Sequence, residues 1–139
     1  MRAIVIDHFG PGLDSLVIKE MPEPEPKLGH VVIEVKAFGI NHAEIHMRKG
    51  EWAEAAEISG IECVGIVKSC PGGEFAVGSK VAALMGGLGR TINGSYAEYT
   101  RARSQRVLRR SSPISHGRNS PRFQSPTPRL GPAFSAIWS

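Results

Sequence analysis

The strongest constraint on the fold is how often the chain is punctuated. Through the first hundred residues, short apolar segments are cut at fairly even intervals by turns bearing Gly and Pro, a rhythm that favours a β-barrel or sandwich. His30–Phe38 is the clearest segment. Val31, Ile33, Val35 and Ala37 fall on one face, and Val32, Glu34 and Lys36 fall on the other, as in a half-buried strand. Strands are also expected at Ala3–Asp7, Ser15–Lys19, Cys63–Ser69, Lys80–Met85 and Tyr96–Tyr99. Turns are expected at Gly10-Pro11-Gly12, Pro71-Gly72-Gly73 and Val77-Gly78-Ser79-Lys80. Pro22, Pro24 and Pro26 hold their segment extended, because each ring removes a donor and restricts the residue before it. One helix is expected over His42–Arg48, with Asn41 as N-cap and closure at Lys49-Gly50. The expected class is therefore mainly β, a partly open barrel with one or two short helices.

Charge divides the chain. Residues 1–100 carry 9 Lys+Arg against all 13 Asp+Glu, whereas residues 101–139 carry 8 Arg and no acid. The second stretch also holds 8 Ser and 5 Pro. The sequence pI near 9.4 thus comes from the tail. This predicts a folded unit over residues 1–104 and a disordered, Arg/Ser/Pro-rich tail over 105–139. Such a tail can neutralise phosphates, but Phe123, Phe134 and Trp138 are too sparse for base stacking, so nucleic acid is not the expected partner. No apolar run approaches the roughly 20 residues of a membrane span. The opening Met-Arg-Ala-Ile-Val-Ile-Asp is too short for an export signal. With two cysteines, Cys63 and Cys70, the expectation is reduced thiols and a cytoplasmic location.

Several residues can carry chemistry. His42 and His46 lie one helical turn apart and can share a face toward a metal, but Glu44 sits at the wrong offset and no third donor is evident. The bland reading, two polar helix residues beside a cleft, is preferred. Gly86-Gly87-Leu88-Gly89 lacks a following helix, so it is read as a flexible hairpin rather than a phosphate loop.

Four segments, in order, resemble the N-terminal, GroES-like domain of the medium-chain dehydrogenases and reductases. The first is Gly39-Ile40-Asn41-His42-Ala43-Glu44-Ile45-His46, continuing through Arg48 and Gly50-Glu51-Trp52. The second is Gly60-Ile61-Glu62-Cys63-Val64-Gly65-Ile66-Val67. The third and fourth are Val77-Gly78-Ser79-Lys80-Val81 and Gly94-Ser95-Tyr96-Ala97-Glu98-Tyr99. The metal members of that family have Cys where this chain has Asn41 and His where it has Ile61. An amide and an alkyl group cannot replace those ligands. The resemblance therefore implies the zinc-independent, quinone-oxidoreductase-like (zeta-crystallin-like) branch, which passes a hydride from NADPH to a quinone, enone or related carbonyl. It places Asn41 near nicotinamide and substrate, as a catalytic and cofactor-contacting residue, and His42, His46 and Glu62 along the substrate cleft. No zinc is expected. Glu62 is expected to form a local hydrogen bond or salt bridge rather than to act in catalysis. The competing readings are a non-enzymatic GroES-like module whose basic tail contacts nucleic acid or an acidic partner, and a small metal-binding protein using His42 and His46.

The resemblance stops before the family's Rossmann-type cofactor domain, which is absent from this sequence. Family members continue with a segment similar to PWAELAAIPESYATAWS, which residues 113–139 do not match. Those residues can nevertheless be encoded so that reading one nucleotide earlier gives PDFPWAELAAIPESYATAWSGLFGNLE. In each shifted codon only the first base, a wobble position of the present frame, is free to choose. A change of reading frame between about Gln105 and Ser112 is therefore expected, leaving a truncated chain with little or no activity alone.

Overall fold

The computed structural model describes residues 1–109. Seven strands and one helix make up the body: β1 (Arg2–Ile6), β2 (Leu16–Glu20), β3 (His30–Phe38), α1 (His42–Lys49), β4 (Glu62–Ser69), β5 (Lys80–Leu84), β6 (Tyr99–Arg103) and β7 (Val107–Arg109). β1 and β2 form an antiparallel hairpin. The other five strands form an antiparallel sheet in the order β6-β3-β4-β5-β7. The mainly β, partly open barrel expected from the sequence is what the chain forms.

Connectivity explains the curl. β6 and β7 occupy opposite edges of the five-stranded sheet, yet only the 3-10 turn Ser104–Arg106 separates them. In a flat sheet those edges would lie roughly 19 Å apart, at about 4.8 Å per strand. A link that short reaches at most about 14 Å, so the sheet must bend until its edges approach. Shifts in the β3–β4 register between Val32 and Ile33, and between Val35 and Ala37, contribute to the bend. The first shift also breaks the alternation expected for β3: Val31, Val32 and Ile33 are buried in succession.

Two other expectations change. The last strand runs over Tyr99–Arg103 rather than Tyr96–Tyr99. Tyr96–Glu98 instead runs between β1 and β3, where the Tyr96 carbonyl accepts from Ile4 N–H at 2.8 Å and the Glu98 carbonyl from Val35 N–H at 2.8 Å. It joins the hairpin to the main sheet. β7 lies beyond the expected boundary at 104, paired with β5 through Ala83 and Val107. The remainder of the expected tail, with its predicted disorder, lies outside the described residues.

The core has two parts. Val31, Ile33, Cys63, Val67 and Val81 fill the inside of the curled sheet, and Ala3, Val5, Ile58 and Tyr96 pack beneath the hairpin. Phe38 touches both, its ring 4.6 Å from that of Tyr96 between centroids. Burying one such aliphatic side chain contributes about 1.5–3 kcal/mol. α1 is anchored by fully buried Met47 and ends as expected at Gly50, whose φ of 78° lets its N–H reach back to the carbonyls of His46 and Met47.

Candidate functional site

The start of α1 is fixed from within by Glu44. Asn41 takes the extended conformation of a helix cap, and its backbone N–H donates to Glu44 Oε2 at 2.6 Å. Glu44 is 5% exposed. Its other oxygen accepts from Ile61 N–H at 3.1 Å, and Oε2 also accepts from the Tyr96 hydroxyl at 2.6 Å. One buried carboxylate therefore ties together three separate stretches: the cap of α1, the 60–62 triplet and the segment around Tyr96.

The last two of these cross at close range. Gly94 N–H donates to the Ile58 carbonyl at 2.7 Å, and Tyr96 N–H to the Ser59 carbonyl at 3.0 Å. A Cβ on Gly94 would lie 2.3 Å from both the Ser59 and Gly60 carbonyl oxygens, so only glycine permits the crossing. Gly60 adds a φ of 106°, a left-handed conformation that a side chain would strain. The glycines of Gly60-Ile61-Glu62 and Gly94-Ser95-Tyr96 thus position their neighbours against α1.

The inward face of α1 borders a cavity of about 510 Å³ whose walls include Phe38, Ile40, Asn41, Glu44, Ile45, Arg48, Ser59 and Tyr96. Positions 41, 44, 45 and 48 follow one another along a helical face. On three of the wall residues, Asn41 Nδ2, Arg48 Nε and Ser59 Oγ are buried without a hydrogen-bond partner among the described residues. Burial, followed by the hydrogen bond to Glu44, pushes the Tyr96 hydroxyl well above the ordinary phenol range. Tyr96 therefore stays a donor at neutral pH. Cys63 is sealed in the core with its thiol pushed up to about 12 by burial, which makes it an inert core residue.

The structure separates the expected site residues. Asn41 lines the cavity. His42 and His46 lie on the opposite side of α1, their rings edge to face with centroids 5.0 Å apart. His46 Nδ1 contacts the exposed Glu51 carboxylate, which holds Glu51 below the usual carboxylate range. Neither His lines this cavity. Glu62 lies over Gly39, where any side chain would collide with its carboxylate. Its backbone carbonyl accepts from Ser95 Oγ at 2.7 Å. Contrary to expectation, the Glu62 carboxylate has no salt bridge or hydrogen bond among the described residues. It sits against Gly39, which has no side chain to offer it a donor.

Glu44, Arg48, Ser59 and Tyr96 were not among the residues expected to build the site. The Asn41-x-x-Glu44 spacing of a capping box points to Glu44, and one further turn of helix leads to Arg48. Nothing local points to Ser59 or Tyr96, which only the crossing brings in.

Neither Asn41 nor Ile61 is a zinc donor of the usual kind. Asn41 and Ile61 offer an amide and an alkyl group, and no group of three or more His, Cys, Asp or Glu suited to a metal occurs among the described residues. Nor do Gly86-Gly87-Leu88-Gly89 fit a pyrophosphate. They fold into a turn in which Leu88 bridges to Ile92, with no helix after it. No helix among the described residues is long and apolar enough to cross a membrane.

Residues 27–112 match the profile of the alcohol dehydrogenase GroES-like domain. An alcohol dehydrogenase of Geobacillus stearothermophilus is 27% identical over 150 residues, covering 88% of this chain and 44% of that protein. A quinone oxidoreductase of Lama guanicoe is 29% identical over 117 residues, covering 78% of this chain and 33% of that protein. Among solved structures, an NAD-dependent alcohol dehydrogenase superposes with a TM-score of 0.71 at 26% identity, covering 78% of this chain and 39% of the other. The chain spans less than half the length of these relatives.

Proposed function

The chain belongs to the alcohol dehydrogenase GroES-like domain family, and from that premise we propose that it forms the substrate-side wall of a zinc-independent, NADPH-dependent oxidoreductase acting on quinones, enones or related carbonyls. The observation that carries this reading is the Asn41 amide, buried on the cavity wall with Nδ2 unpartnered. An N–H held in place stabilises a carbonyl oxygen as it gains negative charge. That is the part a metal Lewis acid plays elsewhere, at a position where this chain has no metal donor. The bound nicotinamide supplies the hydride. Asn41 orients the acceptor, Glu44 and Tyr96 hold Asn41 in place, and the apolar walls exclude water.

On this reading residues 1–109 contribute the acceptor's surroundings, and we further propose that the reading frame changes ahead of residues 113–139. The purified chain should not oxidise NADPH in the presence of quinones or enones. A gene with its frame restored near codon 110 should encode a protein that does, without added zinc and unaffected by chelators. In that protein, Asn41→Ala should lower kcat by about a hundredfold. An unchanged kcat would remove Asn41 from the reaction, and activity dependent on zinc would refute the metal-free reading.

A further inference from the structure

Three of the four buried side-chain polar atoms that lack a partner among the described residues belong to residues that line one cavity: Asn41 Nδ2, Arg48 Nε and Ser59 Oγ. All three can donate. Ser59 is 2% exposed, so bulk water does not readily satisfy its hydroxyl. Arg48 is the one cation on this wall, and it forms no salt bridge among the described residues. Glu44, the one acid, has its oxygens engaged by Asn41 N–H, Ile61 N–H and the Tyr96 hydroxyl. The one acid of the wall is therefore engaged, while the Arg48 charge has no ion-pair partner among the described residues. The rest of the wall is apolar, including Leu13, Leu16, Phe38 and Ile45.

A buried donor without a partner carries a desolvation cost that a matching ligand relieves. A guanidinium against an apolar wall is suited to a carboxylate, the oxyanion that Arg pairs with most directionally. We infer that this cavity accepts a small apolar molecule bearing a carboxylate, with the carboxylate paired to the Arg48 guanidinium and Ser59 on the same wall. Asn41 Nδ2 is left for a second oxygen acceptor, the carbonyl of the proposed function. The inference rests on that function for the role of Asn41 alone, since Arg48 and Ser59 recognise the acid whether or not chemistry follows. The substrate class it names is an unsaturated or oxo carboxylic acid.

The test is equilibrium binding to the 139-residue chain, followed by calorimetry and by amide chemical shifts, with trans-2-hexenoate, its methyl ester and trans-2-hexenal. The acid should bind at least about tenfold more tightly than the ester, the scale of one charge-assisted hydrogen bond. Its shifts should centre on residues 41–48 and 58–60. Arg48→Gln should abolish that preference while leaving the binding of the aldehyde unchanged. Ser59→Ala should reduce the preference, and both variants should keep the amide spectrum of the folded chain. If Arg48→Gln perturbs folding, Arg48→Lys, which keeps the charge and loses Nε, should weaken the acid while sparing the aldehyde. Equal binding of acid and ester, a preference that survives Arg48→Gln, or no binding of the acid would each overturn the inference. Aldehyde binding without acid binding would do so while leaving the proposed function standing.

Discussion

The two faces of α1 carry similar chemistry under different conditions. Inward, Asn41, Glu44 and Arg48 meet a largely apolar cavity. Outward, His42 and His46 meet solvent, with His46 paired to Glu51. By composition alone, the outer face looks more like a site: two imidazoles one turn apart, with a carboxylate in reach. Burial reverses that ranking. The outer groups exchange protein partners for water at little cost, whereas the inner ones must either be satisfied by one another or await a ligand. A functional surface here is recognised by which polar groups are buried and unmatched, more than by which residue types occur.

Glu44→Ala should provide the largest contrast between the faces. It leaves the Asn41 N–H, the Ile61 N–H and the Tyr96 hydroxyl without their acceptor in a buried place. The expected loss is about 3 kcal/mol or more, at about 1–3 kcal/mol per stranded donor with partial relaxation, measured by urea unfolding. A loss below about 1 kcal/mol would mean that water reaches the knot, erasing the distinction between the faces. Tyr96→Phe comes next. It removes one hydrogen bond to a charged group and should cost about 1.5–3 kcal/mol.

Tyr96 also sets an alkaline limit. Its folded pKa is raised above the ordinary value of 10.0. The unfolded chain therefore loses that proton first, and stability present below pH 10 falls as pH rises beyond it. Cys63 acts in the same direction, from about 9.0 toward about 12. In Tyr96→Phe the decline above pH 10 should be shallower, and what remains should follow Cys63. An unaltered alkaline slope would show that the Tyr96 hydroxyl is neither buried nor held by Glu44.

Much of this was legible in the sequence, for definable reasons. The hairpin, β3, β4, β5 and α1 follow from alternation, turn residues and the Asn41 and Gly50 caps, all of which are local. β7 was missed because a three-residue strand has too short a pattern to register, and its place is set by pairing with β5. Tyr96–Glu98 reads as a strand because its residues favour one, yet toward the sheets it makes only an isolated bridge to β1 and one hydrogen bond to β3. Asn41 was legible as a changed ligand position and a cap. Its unpartnered amide was not, because that depends on Ser59 and Tyr96 arriving from distant parts of the chain. Glu62 was expected to find a partner because an isolated carboxylate usually does, but its place above Gly39 follows from the approach of β3 and β4 rather than from charge.

The smallest expected effect lies on the outer face, and its smallness is informative. Glu51 is held below the ordinary carboxylate value of 4.5, chiefly by its hydrogen bond to His46. A depressed folded pKa means that the pair's stabilisation is present above pH 4.5 and lost as pH falls through the folded value. Both partners are substantially exposed, with side-chain exposures of 40% and 49%, so water and salt screen most of it. His46→Ala should therefore leave the urea midpoint at pH 7 unchanged within error. It should also return the Glu51 titration, followed by carboxyl NMR, toward its ordinary value. His42→Ala, with no carboxylate partner among the described residues, should change neither readout. A large fall in stability from either substitution would place the histidines in the fold's support. A gain of stoichiometric zinc by the parent chain, lost in both variants, would make the outer face the site. The inner cavity would then be a packing gap, and the contrast between the two faces of α1 would run the other way.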